Sequence, residues 1–157
     1  MPGQTFVTLI ESPESWYPRR ISMKKALFFL MLLLSLPVGA AVTTIDNAEL
    51  EKLLSQGVPI IDIRRPEEWQ QTGVIKGSHL ITFFDKRGNY NVRAWLEKLA
   101  PIAGKDDPFI LICRTGRRTG IVSHFLDEKV GYTKVYNVQK GITDWIAKGK
   151  PVVKPGS

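Results

Sequence analysis

The chain has 157 residues, of which 43% are hydrophobic and 24% charged, and a formal net charge of +7 at pH 7. This composition fits one folded domain with room for an appendage and excludes a disordered or collagen-like chain. A lone cysteine excludes a disulfide framework, and the basic surplus contains no lysine-rich run or aromatic-interleaved stripe of the kind that binds nucleic acid.

The appendage is at the front. Met23-Lys24-Lys25 is a positive start, 26–36 is an apolar run, and Pro37-Val38-Gly39-Ala40-Ala41 is a small-residue end. That layout predicts a secretory signal peptide over 23–40, cleaved after Ala40. The apolar run is shorter than the roughly 20 residues of a membrane span. The expected location is therefore the periplasm, with an uncleaved anchor in the inner membrane, facing the periplasm, as the alternative. Residues 1–22 carry Pro2, Pro13 and Pro18, show no period, and read as an upstream extension without a fold. Residues 41–157 then form a single domain of 117 residues with 18 Lys or Arg and 13 Asp or Glu. In an exported domain, a cysteine with no partner to pair with is either buried and inert or present for its reactivity.

Asp46-Asn47-Ala48-Glu49 reads as a capping box. Leu50, Leu53 and Leu54 give the helix it opens an apolar face, and Gly57 closes it. Over 58–63 a buried strand is expected, with Asp62 near its end. Arg64-Arg65-Pro66 turns out of it into a helix with Pro at its first position and acids in its first turn. An Asp closing a buried strand is usually held by hydrogen bonds or an Arg. Asp62 and Arg64 thus read as structural, with Glu68 as a further partner. Gly73 and Gly77 bracket a tight passage into a short strand carrying His79. A loop over 83–89 turns at Asp85-Lys86-Arg87-Gly88. Asn91 caps a helix through residue 99, with Trp95, Leu96 and Leu99 on its apolar side.

The stretch that organises the chain is 109–120. Phe109-Ile110-Leu111-Ile112 is a short buried strand that ends at Cys113, the lone cysteine. A polar loop with Arg114, Gly116, Arg117 and Arg118 follows, then a helix expected over 119–129. Backbone N–H groups, a helix N-terminus and nearby arginines all favour an anionic sulfur. The spacing therefore predicts a cysteine with a lowered pKa acting as a nucleophile. Beyond it come a strand ending at Val138, a short helix over 142–147 and a loose tail to residue 157. His124 reads as a half-exposed helical residue and His79 lies on another element; a Cys–His hydrolase would need one of the two near Cys113, whereas a low-pKa thiolate needs no base. Strands alternating with helices predict an α/β class, a three-layer α/β/α domain around a largely parallel sheet. In such sheets the ligand crevice lies at the carboxyl ends of the strands, where Cys113 stands.

Cys113-Arg114-Thr115-Gly116-Arg117-Arg118-Thr119 resembles the active-site loop of the rhodanese family, often C-R-x-G-x-R-[ST]. Asp62-Ile63-Arg64-Arg65-Pro66-Glu67-Glu68-Trp69 is similar to its D-v-R-x-P-x-E-[YF], and Gly73-Val74-Ile75-Lys76-Gly77-Ser78 to its G-H-I-P-G-A. Gly131-Tyr132-Thr133-Lys134-Val135-Tyr136 and Gly141-Ile142-Thr143-Asp144-Trp145 look like its closing strand and helix. Four motifs in order over about a hundred residues make a specific match, with the small, exported, single-domain bacterial proteins of the phage-shock type as the likeness. Val74, Lys76 and Lys140 depart from the pattern without touching the cysteine loop.

The resemblance implies a thiosulfate sulfurtransferase with no cofactor. Cys113 takes the outer sulfur of thiosulfate as a persulfide and passes it to cyanide or a thiol. Loop N–H groups from Arg114 to Arg118 cradle the persulfide. Arg114, Arg117 and Arg118 attract the dianion, or Arg118 points inward and braces the loop. Thr115 and Thr119 are hydroxyl donors or play surface and capping roles. A phosphatase of related fold needs Cys-x5-Arg, whereas Arg118 gives Cys-x4-Arg. The remaining alternative is a periplasmic sulfur-carrier, redox or partner-binding module without thiosulfate turnover.

Overall fold

The run Phe109–Ile112 is fully buried because it lies in the middle of the sheet with helices on both faces. A computed structural model of the chain describes residues 42–156. The expected signal peptide and the extension before it lie outside the described residues. Among the described residues five strands occur in chain order: β1 (Val42–Ile45), β2 (Ile60–Asp62), β3 (His79–Leu80), β4 (Phe109–Ile112) and β5 (Val135–Val138). They form one sheet in the order β1-β5-β4-β2-β3, every pair parallel.

Alternation along β4 sends Phe109, Leu111 and Cys113 to one face and Ile110 and Ile112 to the other. Helices α3 (Val92–Leu99) and α4 (Arg117–Phe125) cover the first face, with Trp95, Leu99 and Val122 in its core. Helices α1 (Asn47–Ser55) and α5 (Gly141–Ala147) cover the second, through Leu50, Leu53, Ile142 and Trp145. The three-layer α/β/α reading is borne out. The remaining helix, α2 (Pro66–Thr72), follows β2 directly.

Local chemistry set most element starts as expected. Asp46 accepts from the N–H groups of Ala48 and Glu49 at 3.0 Å, but the Glu49 carboxylate turns to Lys52 at 3.1 Å, so the N-cap forms without the reciprocal half of the expected capping box; Asn91 accepts from Ala94 at 3.0 Å. Asp85 accepts from the N–H groups of Arg87 and Asn89, closing the expected turn.

Three features differ from expectation. β1 was not foreseen: it is a Thr-rich edge strand whose register with β5 pairs Val42 with Val135, a contact with no local period. α4 begins at Arg117 because the Gly120 N–H already closes a helical bond on Gly116 at 2.9 Å. It is α-helical to Phe125 and then widens into a π-turn over Leu126–Val130, ended by Gly131. The tail is not loose. Val153 exchanges hydrogen bonds with Val74 at 2.8 and 2.9 Å, and the Trp145 indole N–H donates to the Pro151 carbonyl at 2.9 Å. The family's usual His position, here a buried Val74, therefore serves as the tail's docking point through a single antiparallel bridge.

Candidate active site

β2 and β4 are neighbours in register, Asp62 opposite Ile112, so their carboxyl ends deliver Asp62 and Cys113 side by side. The Ile63 N–H donates to the Ile112 carbonyl at 3.0 Å and continues that pairing to the cysteine.

Asp62 and Arg64 are both fully buried and pair at 2.7 Å. Arg64 places all five guanidinium N–H groups. Nε and Nη2 donate to the Asp62 carboxylate, Nη2 also to the Gly73 carbonyl, and Nη1 to the Thr72 hydroxyl and the Glu68 carbonyl. The pair anchors α2 to the end of β2. Glu68 meets Arg64 only through its main chain.

The Glu68 carboxylate turns instead to Arg118, which donates two parallel bonds to it at 2.6 and 2.8 Å. Of the two readings of Arg118, this is the bracing one. Burial alone pushes the Glu68 carboxyl up. Hydrogen bonds from Arg118 and the Arg65 N–H, with the charges of both arginines, outweigh it and hold the group below its ordinary 4.5. Its bonds with Glu68 raise Arg118 against the desolvation that lowers it, and the charges of Glu68 and of an anionic Cys113 add to the rise. Arg118 is thus held by the Glu68 carboxylate and favoured in its charged form by an anionic Cys113.

A depressed carboxyl stabilises the fold fully above its unfolded value and loses that contribution as pH falls through its folded one. Glu68→Gln is therefore expected to cost about 1–3 kcal/mol at pH 7. The gap from the parent should close as pH drops below about 4.5. Thermal melts of both proteins from pH 7 to pH 3 test this, and a gap that stays constant refutes it.

Cys113 is buried, at 1% exposure, at the base of its loop. The Thr119 hydroxyl lies 3.5 Å from the sulfur and 3.0 Å from the Gly116 carbonyl. It has one proton, which serves the carbonyl while a thiol donates to it and can turn to the sulfur once that is anionic. Thr119 is buried, whereas Thr115, Arg114 and Arg117 are exposed and Arg118 is half-buried. His79 and His124 are exposed, and no hydrogen bond links either to Cys113.

The loop is pinned from outside by α5. The Cys113 and Arg114 carbonyls accept from the N–H groups of Ile142 and Thr143 at 2.9 and 3.1 Å, and the Thr143 hydroxyl also donates to Arg114 at 2.8 Å. With the carbonyls turned outward, the N–H groups of residues 114–118 have no acceptor among the described residues. Two glycines permit this. Gly116 sits at φ +84, where a Cβ would overlap the Gln139 carbonyl. A Cβ on Gly141 would fall 2.5 Å from the carbonyl oxygens of Cys113 and Arg114. The chain has Lys140 in place of the first of the family's two glycines and keeps the one the loop requires. Sequence reasoning missed Gly141 and Thr143 as parts of the site, and the only signal for them was the Gly141–Trp145 motif.

These features define a parallel α/β domain that presents one thiol in a loop lined by N–H groups. The family model described as Rhodanese-like domain matches residues 46–148, and the chain belongs to that family. A protein of Allochromatium vinosum named a sulfurtransferase is 30% identical over 121 residues, 73% of this chain and 97% of its own. A Haloferax volcanii protein, provisionally named a thiosulfate sulfurtransferase, is 29% identical over 68% of this chain, which spans 44% of that relative's length. Among solved structures, a rhodanese-related protein of Thermoplasma volcanium superposes with a TM-score of 0.53 at 28% identity, covering 70% of this chain and 96% of that one. A protein of M. tuberculosis shares the fold, with a TM-score of 0.60 at 24% identity over 74% and 99% of the two chains. Family and relatives together support a sulfurtransferase-type role.

Proposed function

We propose that this protein moves sulfane sulfur from thiosulfate to cyanide or a thiol through a persulfide on Cys113. The observation that carries the reading is the set of loop N–H groups without an acceptor that directly follows a lone buried cysteine, in a loop that also carries the Arg118 charge. Such a cradle stabilises an anionic sulfur as an oxyanion hole stabilises an oxygen.

In the first step the Cys113 thiolate attacks the outer sulfur of thiosulfate. The new S–S bond forms as the old one breaks, and sulfite leaves with the bonding pair. The terminal sulfur of the persulfide then carries the negative charge, within reach of the loop N–H groups. In the second step cyanide or a thiolate attacks that sulfur, and Cys113 is regenerated as the thiolate. Arg114 and Arg117, exposed at the loop, attract the dianion, while Arg118 keeps its charge near the sulfur because Glu68 holds it there. Phosphoryl transfer is disfavoured because the sixth residue after Cys113, where a Cys-x5-Arg loop carries its arginine, is Thr119, bonded within the loop. We place this chemistry in the periplasm, on the layout of residues 23–40.

Intact-mass measurement after thiosulfate, and again after cyanide, tests the proposal. A gain of one sulfur atom that disappears with cyanide is expected. No gain at any thiosulfate concentration overturns it.

A further inference from the structure

The cations around the loop outnumber what thiosulfate needs. α4 leaves the loop with Arg117 and Arg118 and then turns Ile121 outward, 59% exposed. Tyr90, 61% exposed, is the other strongly exposed large apolar side chain among the described residues. These two lie together: with Phe84 and Phe125 they line an apolar cavity of about 100 Å³. Phe84 and Ile121 also line an adjoining open recess whose cations are Arg65, Lys86, Arg87, Arg117 and Arg118.

The carboxylates near that recess are already engaged. Asp85 is turned into its own loop by the N–H groups of Arg87 and Asn89. Glu67 pairs with Arg65 at 3.1 Å and lies 3.8 Å from Lys86, and Glu68 holds Arg118. Arg87 and Arg117 make no ion pair among the described residues. The exposed apolar floor is built on ring contacts: Tyr90 stacks on Phe83 and meets Phe84 edge-on, each at 5.6 Å. An aromatic hole beside two guanidiniums without ion pairs, Arg87 and Arg117, one helical turn from a reactive loop, matches an apolar side chain flanked by carboxylates.

Building on the sulfurtransferase reading, we infer that this face docks an acidic protein segment carrying the acceptor thiol. An aromatic or aliphatic side chain of the partner enters the hole formed by Phe84, Tyr90 and Ile121, and its carboxylates meet Arg87 and Arg117. The partner's thiolate attacks the terminal sulfur of the Cys113 persulfide. A new S–S bond forms, the Sγ–S bond breaks with its electron pair returning to Cys113, and no external oxidant or reductant takes part.

Two fluorescein-labelled peptides test the surface: Glu-Asp-Phe-Glu-Ser-Glu, and a counterpart with lysine at every acidic position. At low ionic strength the acidic peptide should bind the full chain at least about tenfold more tightly. Arg87→Glu and Ile121→Glu should each remove most of that preference while thiosulfate-to-cyanide turnover stays at the parent level. With cysteine in place of serine, the acidic peptide should take sulfur from thiosulfate-loaded protein about tenfold faster than its lysine counterpart. Equal affinities or equal transfer rates for the two peptides overturn the inference, as does unchanged binding in both variants. Binding to phosphatidylglycerol vesicles without any peptide preference overturns it in favour of a lipid surface. The serine peptides read the face without sulfur chemistry, so a failure to form the persulfide is seen separately, by mass.

Discussion

Cys113→Ser is expected to lose persulfide formation entirely and to lower thiosulfate-to-cyanide turnover by at least about 10⁴-fold, the scale on which removing a covalent nucleophile acts. No other side chain can take its place, because this is the chain's only cysteine. A serine hydroxyl next to Thr119 stays protonated at neutral pH and is a poor nucleophile towards sulfur. The loop itself should survive. It is pinned by main-chain bonds from Ile142 and Thr143 and by the Glu68–Arg118 pair, none of which involves the sulfur. The fold should therefore change by only about 1 kcal/mol, the usual scale for a conservative substitution. Thiocyanate production and thermal melts of the two proteins check both halves. Turnover above a tenth of the parent level sinks the assignment of Cys113 as the nucleophile.

Asp62→Ala acts on stability instead. It leaves Arg64 fully buried with its charge uncompensated, and breaking a buried pair by removing one partner costs about 3–5 kcal/mol. Against a typical total of about 5–15 kcal/mol, that brings the domain close to unfolding. The damage also reaches the site. Arg64 fixes the carbonyls of Glu68 and Gly73 and the Thr72 hydroxyl. Releasing α2 moves the carboxylate that holds Arg118 beside the sulfur. Urea titration should show a lower midpoint, and the double change Asp62→Ala, Arg64→Met should recover part of the loss because no buried charge is left unpaired. A single variant within 1 kcal/mol of the parent would refute the account.

The sequence by itself determined the features that are local in the chain. The run Phe109–Ile112 had to be a buried strand, since every residue is apolar and its alternating side chains need cover on both faces. Its end set Cys113 at the carboxyl edge of a parallel sheet, and Gly116 set the turn into α4. Asp46, Asn91 and Asp85 announced their caps and turn because each acts on N–H groups within four residues. The Asp62–Arg64 pair was legible for the same reason, lying two residues apart.

What only the tertiary structure decided depends on groups far apart in sequence. Arg118 had two open roles until it met Glu68, fifty residues away. β1 carries no periodic signal and exists because β5 offers it an edge. The tail is ordered because Val74 has main-chain groups left to pair. The Cys113 and Arg114 carbonyls are held because α5 brings Ile142 and Thr143 to them, and the exposed pair Tyr90 and Ile121 becomes one hole only when α4 lies against the loop after β3. A propensity acts within a turn or two of chain, whereas these contacts depend on where separate elements meet once their apolar faces are buried.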